Sequence, residues 1–320
     1  MWEVLRTAKS VVAKSRHVQI DKEALARFCQ NLLKEAITIP SWNRRYHFSG
    51  NKDDTVSYLL VLDSLNFCFW PSSGKAKWNI DYGQKQLSGY YALAASLKKT
   101  FKSGLPMGKA DYLRALTLDE LRRILGGQGE LQLMERRLQI LHELGQVLIS
   151  DFRGEASQLV VGAGQSAIRL ARLLAEKLTS FQDVSEYEGQ KVFFYKRAQI
   201  FAADLHGAFD GKDEGAFQDM DQLTAFADYK LPQVLRHAGI LRYSGALVEK
   251  VDQEVLLEPG SPEEVEIRAN TIWAVELIRQ ELEGMGTSLR AFEIDWLLWN
   301  LGQGSVCRTK PYHKTVTIFY

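Results

Sequence analysis

An aspartate beside two aromatic residues is the first candidate for chemistry in this 320-residue chain. In LTAFADYKLPQVLRHAGILRYS (223–244), Asp228 lies between Phe226 and Tyr229, directly before a predicted helix that starts near a proline and ends at Gly239. A carboxylate at the start of a helix ordinarily caps exposed backbone N–H groups. A catalytic carboxylate at the edge of a site would have the same surroundings, so both interpretations stay open.

A second aspartate, Asp204, interrupts an apolar helical stretch. The segment YKRAQIFAADLHGAF (195–209) places Lys196, Gln199 and Ala203 on one helical face, and Asp204 follows Lys196 by two turns. Such a carboxylate is either paired with a lysine or arginine for structural reasons or held for chemistry. Structural pairing is the more common of the two.

Three further segments combine aromatic and polar residues. In LNFCFWP (65–71), Asn66 stands beside Phe67, and an asparagine in so apolar a setting needs a hydrogen-bond partner, although core packing is the ordinary role of such a stretch. In FEIDWLLWN (292–300), Asp295 lies among aromatic residues that include Trp299. The segment RTKPYHKTVTIFY (308–320) groups cations that could hold one phosphate or simply face solvent; they are Arg308, Lys310, His313 and Lys314.

Several common kinds of active site lack their sequence signatures. There is no HExxH, GxSxG or P-loop motif, and the three cysteines, Cys29, Cys68 and Cys307, have no CxxC spacing. The segment VVGAGQSAIRLARLL (160–174) resembles a dinucleotide-binding turn only weakly, because Ala167 stands where the third glycine belongs. We therefore expect no metal and no cofactor.

Helices must position most of these residues. Apolar residues recur at helical spacing in 21–37, where Asp21 is the predicted cap, and in 110–125, 130–149, 166–178, 191–209, 231–241 and 261–282. Strands are predicted for 56–70, for 78–83 and for the closing TVTIFY, while 126–130 and 180–190 are predicted loops. The expected fold is mainly α with a minor β element, in a single domain over 1–320.

Composition limits the partners. Lys+Arg 40 against Asp+Glu 39 gives a net charge of +1, which offers no field for a long polyanion but allows a small phosphorylated ligand. No run of about 18 apolar residues occurs, and the first 20 residues predict a first helix in preference to a targeting segment. We expect a cytoplasmic protein with reduced thiols and no membrane contact. Sequence leaves its oligomeric state open.

The order of LNFCFW, YKRAQIFAADLHGAF, FADYKLPQVLRHAGILRYS, EIDWLLWN and KPYHKTVTIFY resembles the queuosine salvage protein family over nearly the whole chain, with departures in 180–190 and 301–309. The resemblance implies a helical fold related to helix-hairpin-helix DNA glycosylases. It also implies hydrolysis of the N-glycosidic bond of queuosine 5′-phosphate, which releases queuine for tRNA modification. The substrate would be a small molecule, without a stable nucleic-acid partner. The alternative is a helix-hairpin-helix protein that binds nucleic acid or excises a base from DNA or tRNA.

The resemblance also suggests roles for residues. Asp228 would stand near the scissile bond, with Asp204 as its rival for the catalytic role, and Phe226 and Trp299 would stack on the base. Asp295 would meet the cationic amine of queuine, and His313 and Lys314 the phosphate. Further expected ligand contacts are His47, Asn66, Phe67, Lys196 and Tyr229.

Overall fold

The computed structural model describes residues 2–35, 38–304 and 309–320, and helices dominate them. The first helices are α1 (Glu3–Val12), α2 (Lys22–Lys34), α3 (Lys52–Ser64), α4 (Tyr90–Lys102), α5 (Ala110–Ala115), α6 (Leu118–Leu125) and α7 (Met134–Asp151). They are followed by α8 (Ala156–Gly162), α9 (Ala167–Lys177), α10 (Lys196–Ala208), α11 (Lys230–His237), α12 (Gly245–Asp252), α13 (Pro262–Gly284) and α14 (Ala291–Leu301).

The strands form three small antiparallel pairs within the described residues. Strand β1 (Val18–Ile20) pairs with β6 (Leu241–Tyr243), β2 (Asn79–Tyr82) with β3 (Lys85–Ser88), and β4 (Val184–Tyr187) with β5 (Gln190–Phe193). The prediction of a mainly helical fold with a minor β element is confirmed. The predicted short strand at 78–83 is also confirmed, as β2.

Capping residues explain where several helices begin. Asp21 accepts a hydrogen bond from the backbone N–H of Ala24 at 2.9 Å, as predicted for α2. Ser261 caps α13, whose first residue is Pro262, a position where the missing N–H costs nothing. Thr117 and Glu120 form a reciprocal capping box at α6. That box starts a new helix, so the predicted helix 110–125 is two helices.

Two strand predictions are wrong. Most of 56–70 belongs to α3, which is buried on all sides from Tyr58 to Ser64, so its sequence shows no polar face to reveal a helical period. The closing residues 315–320 form no strand; only Lys314, just before them, makes an isolated bridge, to Leu256. Conversely, the predicted loop 180–190 contains most of the β4–β5 hairpin, which also takes the first residues of the predicted helix 191–209.

Two helices lie at the centre of the packing. Helix α10 packs against α3 and α9, and α13 packs against α1, α2 and α14. The glycine-containing segment that resembled a nucleotide-binding turn joins α8 to α9. The element directly before the turn is therefore a helix and not the strand that a nucleotide-binding turn requires. No helix in the described part of the chain has the length and apolar character needed to cross a membrane.

Candidate active site

A cavity of about 620 Å³ opens between α4, α10, α11 and α14, within the range of about 300–1,000 Å³ usual for small-molecule sites. Its walls also include the chain before α3, the segment after α3 and the last residues of the protein. The charged side chains that line it are Lys77, Lys196, Asp204, Asp228, Lys230, Glu254 and Asp295. Carboxylates therefore outnumber lysines around a partly apolar space.

Asp228 caps a helix and faces the cavity at the same time. Its Oδ1 accepts hydrogen bonds from the backbone N–H groups of Lys230 at 2.8 Å and Leu231 at 2.9 Å, at the start of α11. Its Oδ2 accepts no hydrogen bond from the described residues. Burial raises the pKa of Asp228, while the Lys196 charge and the two N–H groups oppose that rise. The structure thus confirms the capping role that the sequence offered, and it places the same residue on the cavity wall.

Asp204 and Asp295 line the same cavity in different surroundings. Asp204, on α10, has its Oδ2 3.1 Å from the Tyr90 hydroxyl oxygen. Burial raises its pKa to about 7, while a hydrogen bond from Tyr90 and the Lys196 charge act in the opposite direction. Asp295, on α14, accepts the backbone N–H of Phe226 at 2.7 Å, and burial raises its pKa well above the usual range. Carboxyls whose surroundings differ in this way can divide acid and base roles.

Lys196 supplies positive charge beside these carboxyls. Its side chain is buried, and burial lowers its pKa while the Asp228 carboxylate favours the charged form. Its backbone N–H donates to Asp183 Oδ2 at 3.1 Å. Asp183 is fixed in turn by a buried two-point ion pair with Arg268, at 2.9 and 2.6 Å. The Asp183–Arg268 ion pair therefore fixes Lys196, the first residue of α10.

Two buried arginines shape the segment after α3. Arg137, on α7, donates to the carbonyl oxygens of Leu65, Phe67 and Cys68. Arg197 donates to those of Asp63 and Ser64. These bonds satisfy backbone carbonyls in the last turn of α3 and in the irregular segment that follows it. The side chains of residues 66 and 67 lie on the cavity wall.

Aromatic rings form much of the remaining wall. Trp299 meets Tyr90 and Tyr91 edge to face, with ring centroids 5.8 and 5.4 Å apart. Both tyrosines follow Gly89, whose φ of 62° and ψ of −139° are conformations open to glycine. Further rings on the wall come from Trp42, Phe226, Tyr229, Trp296 and Tyr312. Such a surface suits a flat ring system.

The structure brings together most of the residues that the sequence singled out. The predicted residues that line the cavity are His47, Asn66, Phe67, Lys196, Asp204, Phe226, Asp228, Tyr229, Asp295 and Trp299. Their segments lie far apart in the chain, and the helices collect them around one space.

His313 and Lys314 do not line this cavity, so the geometry does not support the predicted phosphate site there. His313 is fully buried against Tyr320, and burial, with the Arg268 charge, lowers its pKa to about 3, so the ring is neutral. Lys314 lies 2.9 Å from the Glu254 carboxylate, which already satisfies its charge. Arg308 and Cys307 lie outside the described residues.

Sequence reasoning missed several residues of the site. Tyr90 and Tyr91 stand in a G-Y-Y run at the start of α4, a signal that could have been read as a turn presenting two rings. Lys230 follows Asp228 in a segment that was already singled out. Asp63 lies buried behind the cavity at the end of α3, where an aspartate among apolar residues was itself a signal.

A cavity of this size, lined by aromatic rings and buried carboxyls within a helical fold, is typical of enzymes that act on small molecules. The model of the queuosine salvage protein family matches residues 46–320. A queuosine 5′-phosphate N-glycosylase/hydrolase of Sphaerobacter thermophilus is 47% identical over 317 residues, covering 99% of this chain and 97% of the relative. Proteins of the same description from Bos taurus and Schizosaccharomyces pombe are 36% and 30% identical, over 98% and 95% of this chain and 97% and 92% of the relatives. The chain belongs to the queuosine salvage protein family.

Proposed function

We propose that this protein hydrolyses the N-glycosidic bond of queuosine 5′-phosphate and releases queuine for tRNA modification. The observation that carries the proposal is the match over nearly full length to relatives described as enzymes of this substrate. The cavity agrees with it, because it offers aromatic walls for a flat base and buried carboxyls for a reaction centre that becomes positive.

Asp228 is the proposed catalytic carboxylate. Breaking a ribosyl C–N bond passes through an oxocarbenium-like state, which a nearby carboxylate stabilises while it orients water or attacks C1′. Asp228 fits because its Oδ1 is fixed by two backbone N–H groups and its Oδ2 accepts none from the described residues. Burial raises the pKa of Asp228, and the Lys196 cation and the N-terminus of α11 oppose that rise and favour the ionised form.

The base makes its own demands on the site. In queuine the purine N7 is replaced by carbon, so a proton placed at N7 cannot assist departure. Assistance has to come at the pyrimidine edge or at the nitrogen that leaves. Phe226 and Trp299 are the proposed stacking partners, with Asn66, Phe67 and Tyr229 nearby, and Asp295 is the proposed partner of the cationic amine.

The phosphate is assigned to the lysines of the cavity rather than to His313 and Lys314. Lys230 lines the cavity beside Asp228, and its Nζ donates to Gln233 Oε1 at 2.9 Å. Lys77 also lines the cavity. Lysine holds a phosphate as a point charge on a flexible stem, which suits a terminal 5′ group.

Lys230→Met tests the phosphate assignment. We expect KM for queuosine 5′-phosphate to rise by about tenfold, the effect of losing roughly 1.4 kcal/mol of binding, while kinetics with unphosphorylated queuosine stay unchanged. Lys102→Met, at an exposed lysine away from the cavity, is the matched control. Equal losses with both substrates in Lys230→Met would show that the lysine does not bind the phosphate.

The proposal also covers the domain organisation, the fold relationship and the location of the protein. We infer a single domain over 1–320, with an architecture related to helix-hairpin-helix DNA glycosylases, in a cytoplasmic protein without a stable nucleic-acid partner. The near-neutral net charge supports a nucleotide substrate over a polynucleotide.

A direct comparison of substrates tests the function. Purified protein is incubated with queuosine 5′-phosphate or with intact queuosine-containing tRNA, and free queuine is measured over time. Release from the nucleotide and none from tRNA is expected. Release from tRNA alone would instead establish a base-excising enzyme of the kind that flips a base out of a polynucleotide.

A further inference from the structure

A chain of hydrogen bonds runs from the cavity wall to Asp204. His47 Nδ1 lies 2.7 Å from the carbonyl oxygen of Asn43, and His47 Nε2 lies 2.9 Å from the Tyr90 hydroxyl. The same hydroxyl lies 3.1 Å from Asp204 Oδ2. Three side chains from three parts of the sequence are thus joined in one line.

The two contacts of the Tyr90 hydroxyl, with His47 and with Asp204, each need a hydrogen between the heavy atoms. A neutral His47, an ionised Asp204 and the Tyr90 hydroxyl together supply only one. A carbonyl oxygen only accepts, so His47 Nδ1 carries a hydrogen and the neutral ring presents Nε2 as an acceptor. Tyr90 has one hydroxyl hydrogen for two neighbours. If Asp204 were ionised and His47 neutral, one of the two contacts would bring lone pairs together. The second hydrogen must therefore come from His47 or from Asp204.

The surroundings place that proton on Asp204. Burial lowers the pKa of His47 to about 4, and the nearby Lys98 charge opposes an imidazolium as well. Burial raises the pKa of Asp204 to about 7. Behind it, Asp63 is fully buried and neither of its carboxyl oxygens has a hydrogen-bond partner among the described residues. An ionised Asp204 would face that second carboxyl in a space with little solvent.

The other charged and titratable groups around Asp204 do not reverse its preference for the protonated form. A Tyr90 hydroxyl that donates to Asp204 would favour the carboxylate, but its one hydrogen is directed at His47 Nε2 when that nitrogen is an acceptor. Lys196, on the same helix, also favours an ionised Asp204, and it is shared with Asp63, Asp228 and Asp295. The titratable and charged groups that face Asp204 are Tyr58 and Asp63 from α3, Tyr90 from α4, Lys196 from α10 and Asp295 from α14. One lysine cannot neutralise every carboxyl in this group.

We propose that Asp204 is the acid that protonates the departing base, and that Tyr90 and His47 are positioning residues that keep this proton on Asp204. The inference rests on the proposed function. It gives the two aspartates that competed for one role separate roles, with Asp228 ionised and Asp204 protonated. It also supplies the assistance that a base without N7 requires.

The proton and electron balance of the step is complete. The C1′–N bond breaks and its electron pair goes to the base, while the proton on Asp204 leaves its hydrogen bond to the Tyr90 oxygen and goes to a base nitrogen. Water adds to C1′ and gives one proton to Asp228. Asp204, now a carboxylate, accepts the Tyr90 hydroxyl hydrogen. Asp228 then loses its proton to solvent, and a proton taken up from solvent at the ring of His47, which lines the cavity, passes from Nε2 through Tyr90 to restore Asp204.

His47→Phe tests the positioning role, because the ring shape is kept and the Nε2 acceptor is lost. The Tyr90 hydrogen is then free to point at Asp204, which favours the carboxylate. We expect the alkaline limb of the pH profile of kcat/KM to move to lower pH by about one unit or more. The matched control is His142→Phe, whose ring contacts the Leu116 carbonyl away from the cavity and whose profile is expected to keep the wild-type limb.

Outcomes for this inference and for the function can be told apart. If the wild-type protein releases no queuine from the nucleotide, the proposed function fails. If it releases queuine but the alkaline limb of His47→Phe stays where it is or moves to higher pH, only the inference fails. Asp204→Asn, which has no acidic proton, is expected to lower kcat by about 100-fold or more and to abolish the alkaline limb.

An infrared measurement gives a readout that does not depend on turnover. At pH 6, wild-type protein is expected to show a carbonyl stretch of protonated carboxylic acids that weakens in Asp204→Asn. An unchanged band in a folded Asp204→Asn protein would overturn the proposal, because Asp204 would then be ionised without the substitution.

Discussion

Replacement of Arg137 has the effect on stability that the structure predicts most sharply. Its guanidinium is fully buried and donates to backbone carbonyl oxygens alone among the described residues: Gln132 at 3.1 Å, Phe67 at 2.6 Å, Cys68 at 3.3 Å and Leu65. It also lies over the Phe67 ring, 4.1 Å from its centroid. In Arg137→Met the stem stays apolar and these donors disappear.

The cost can be worked out from the carbonyls left behind. Leu65 O keeps the backbone N–H of Phe67, whereas those of Phe67, Cys68 and Gln132 have no other donor among the described residues. A buried acceptor without a partner costs about 1–3 kcal/mol, so the Phe67 and Cys68 carbonyls cost roughly 2–6 kcal/mol and the half-buried Gln132 carbonyl adds about 1 kcal/mol. The variant no longer buries a charged guanidinium, and the desolvation cost that it avoids offsets several kcal/mol of this loss. The net loss in the free energy of unfolding is then about 3 kcal/mol.

Urea unfolding followed by circular dichroism measures this loss. With an m value of about 3 kcal/mol/M, the midpoint of Arg137→Met is expected to fall by about 1 M. The control is Arg136→Met, one residue earlier on α7, where an exposed arginine bonds to Gln139 and the change should stay within about 0.5 kcal/mol. Equal midpoints for the two variants would refute the view that Arg137 holds the cavity wall in place.

Two other predictions concern the buried carboxyl and the aromatic wall. Burial raises the pKa of Asp204 to about 7, so its stabilising contribution is complete below its ordinary pKa near 4 and is lost as pH rises through about 7. Asp204→Asn should therefore gain stability relative to wild type between pH 5 and pH 8, by about 3 kcal/mol, and a constant difference in urea midpoints would contradict this. Trp299→Ala removes the ring that packs on Tyr90 and Tyr91, and should weaken queuine binding measured by calorimetry by about 1–3 kcal/mol; an unchanged Kd would exclude stacking there.

Local signals in the sequence predicted much of the fold. Asp21 and Ser261 mark the starts of α2 and α13 because capping depends on one side chain and the next few residues. The prediction of a strand at 56–70 was wrong because the local signal for a helix is missing there. The apolar face of α3 extends all the way round a helix buried by its neighbours, and periodicity carries no information when every side is buried.

The site was only partly accessible to such reasoning. Segments with unusual local composition, around Asn66, Asp204, Asp228 and Asp295, do line one cavity. The hydrogen-bond chain through Tyr90 could not be predicted, because it depends on where α4 lies against α10. His313 looked like a free cation in sequence, and it is neutral because the fold buries it against Tyr320 and Arg268.

The most direct test of the central claim is queuine release from queuosine 5′-phosphate by the wild-type protein and by Asp228→Asn. Asparagine keeps the size of the side chain and can still accept the backbone hydrogen bonds at the start of α11, but it cannot stabilise an oxocarbenium ion or take a proton from water. Release by wild type, with a loss of at least about 100-fold in kcat for a folded Asp228→Asn, is the predicted result. Turnover by Asp228→Asn at the wild-type rate would contradict the account.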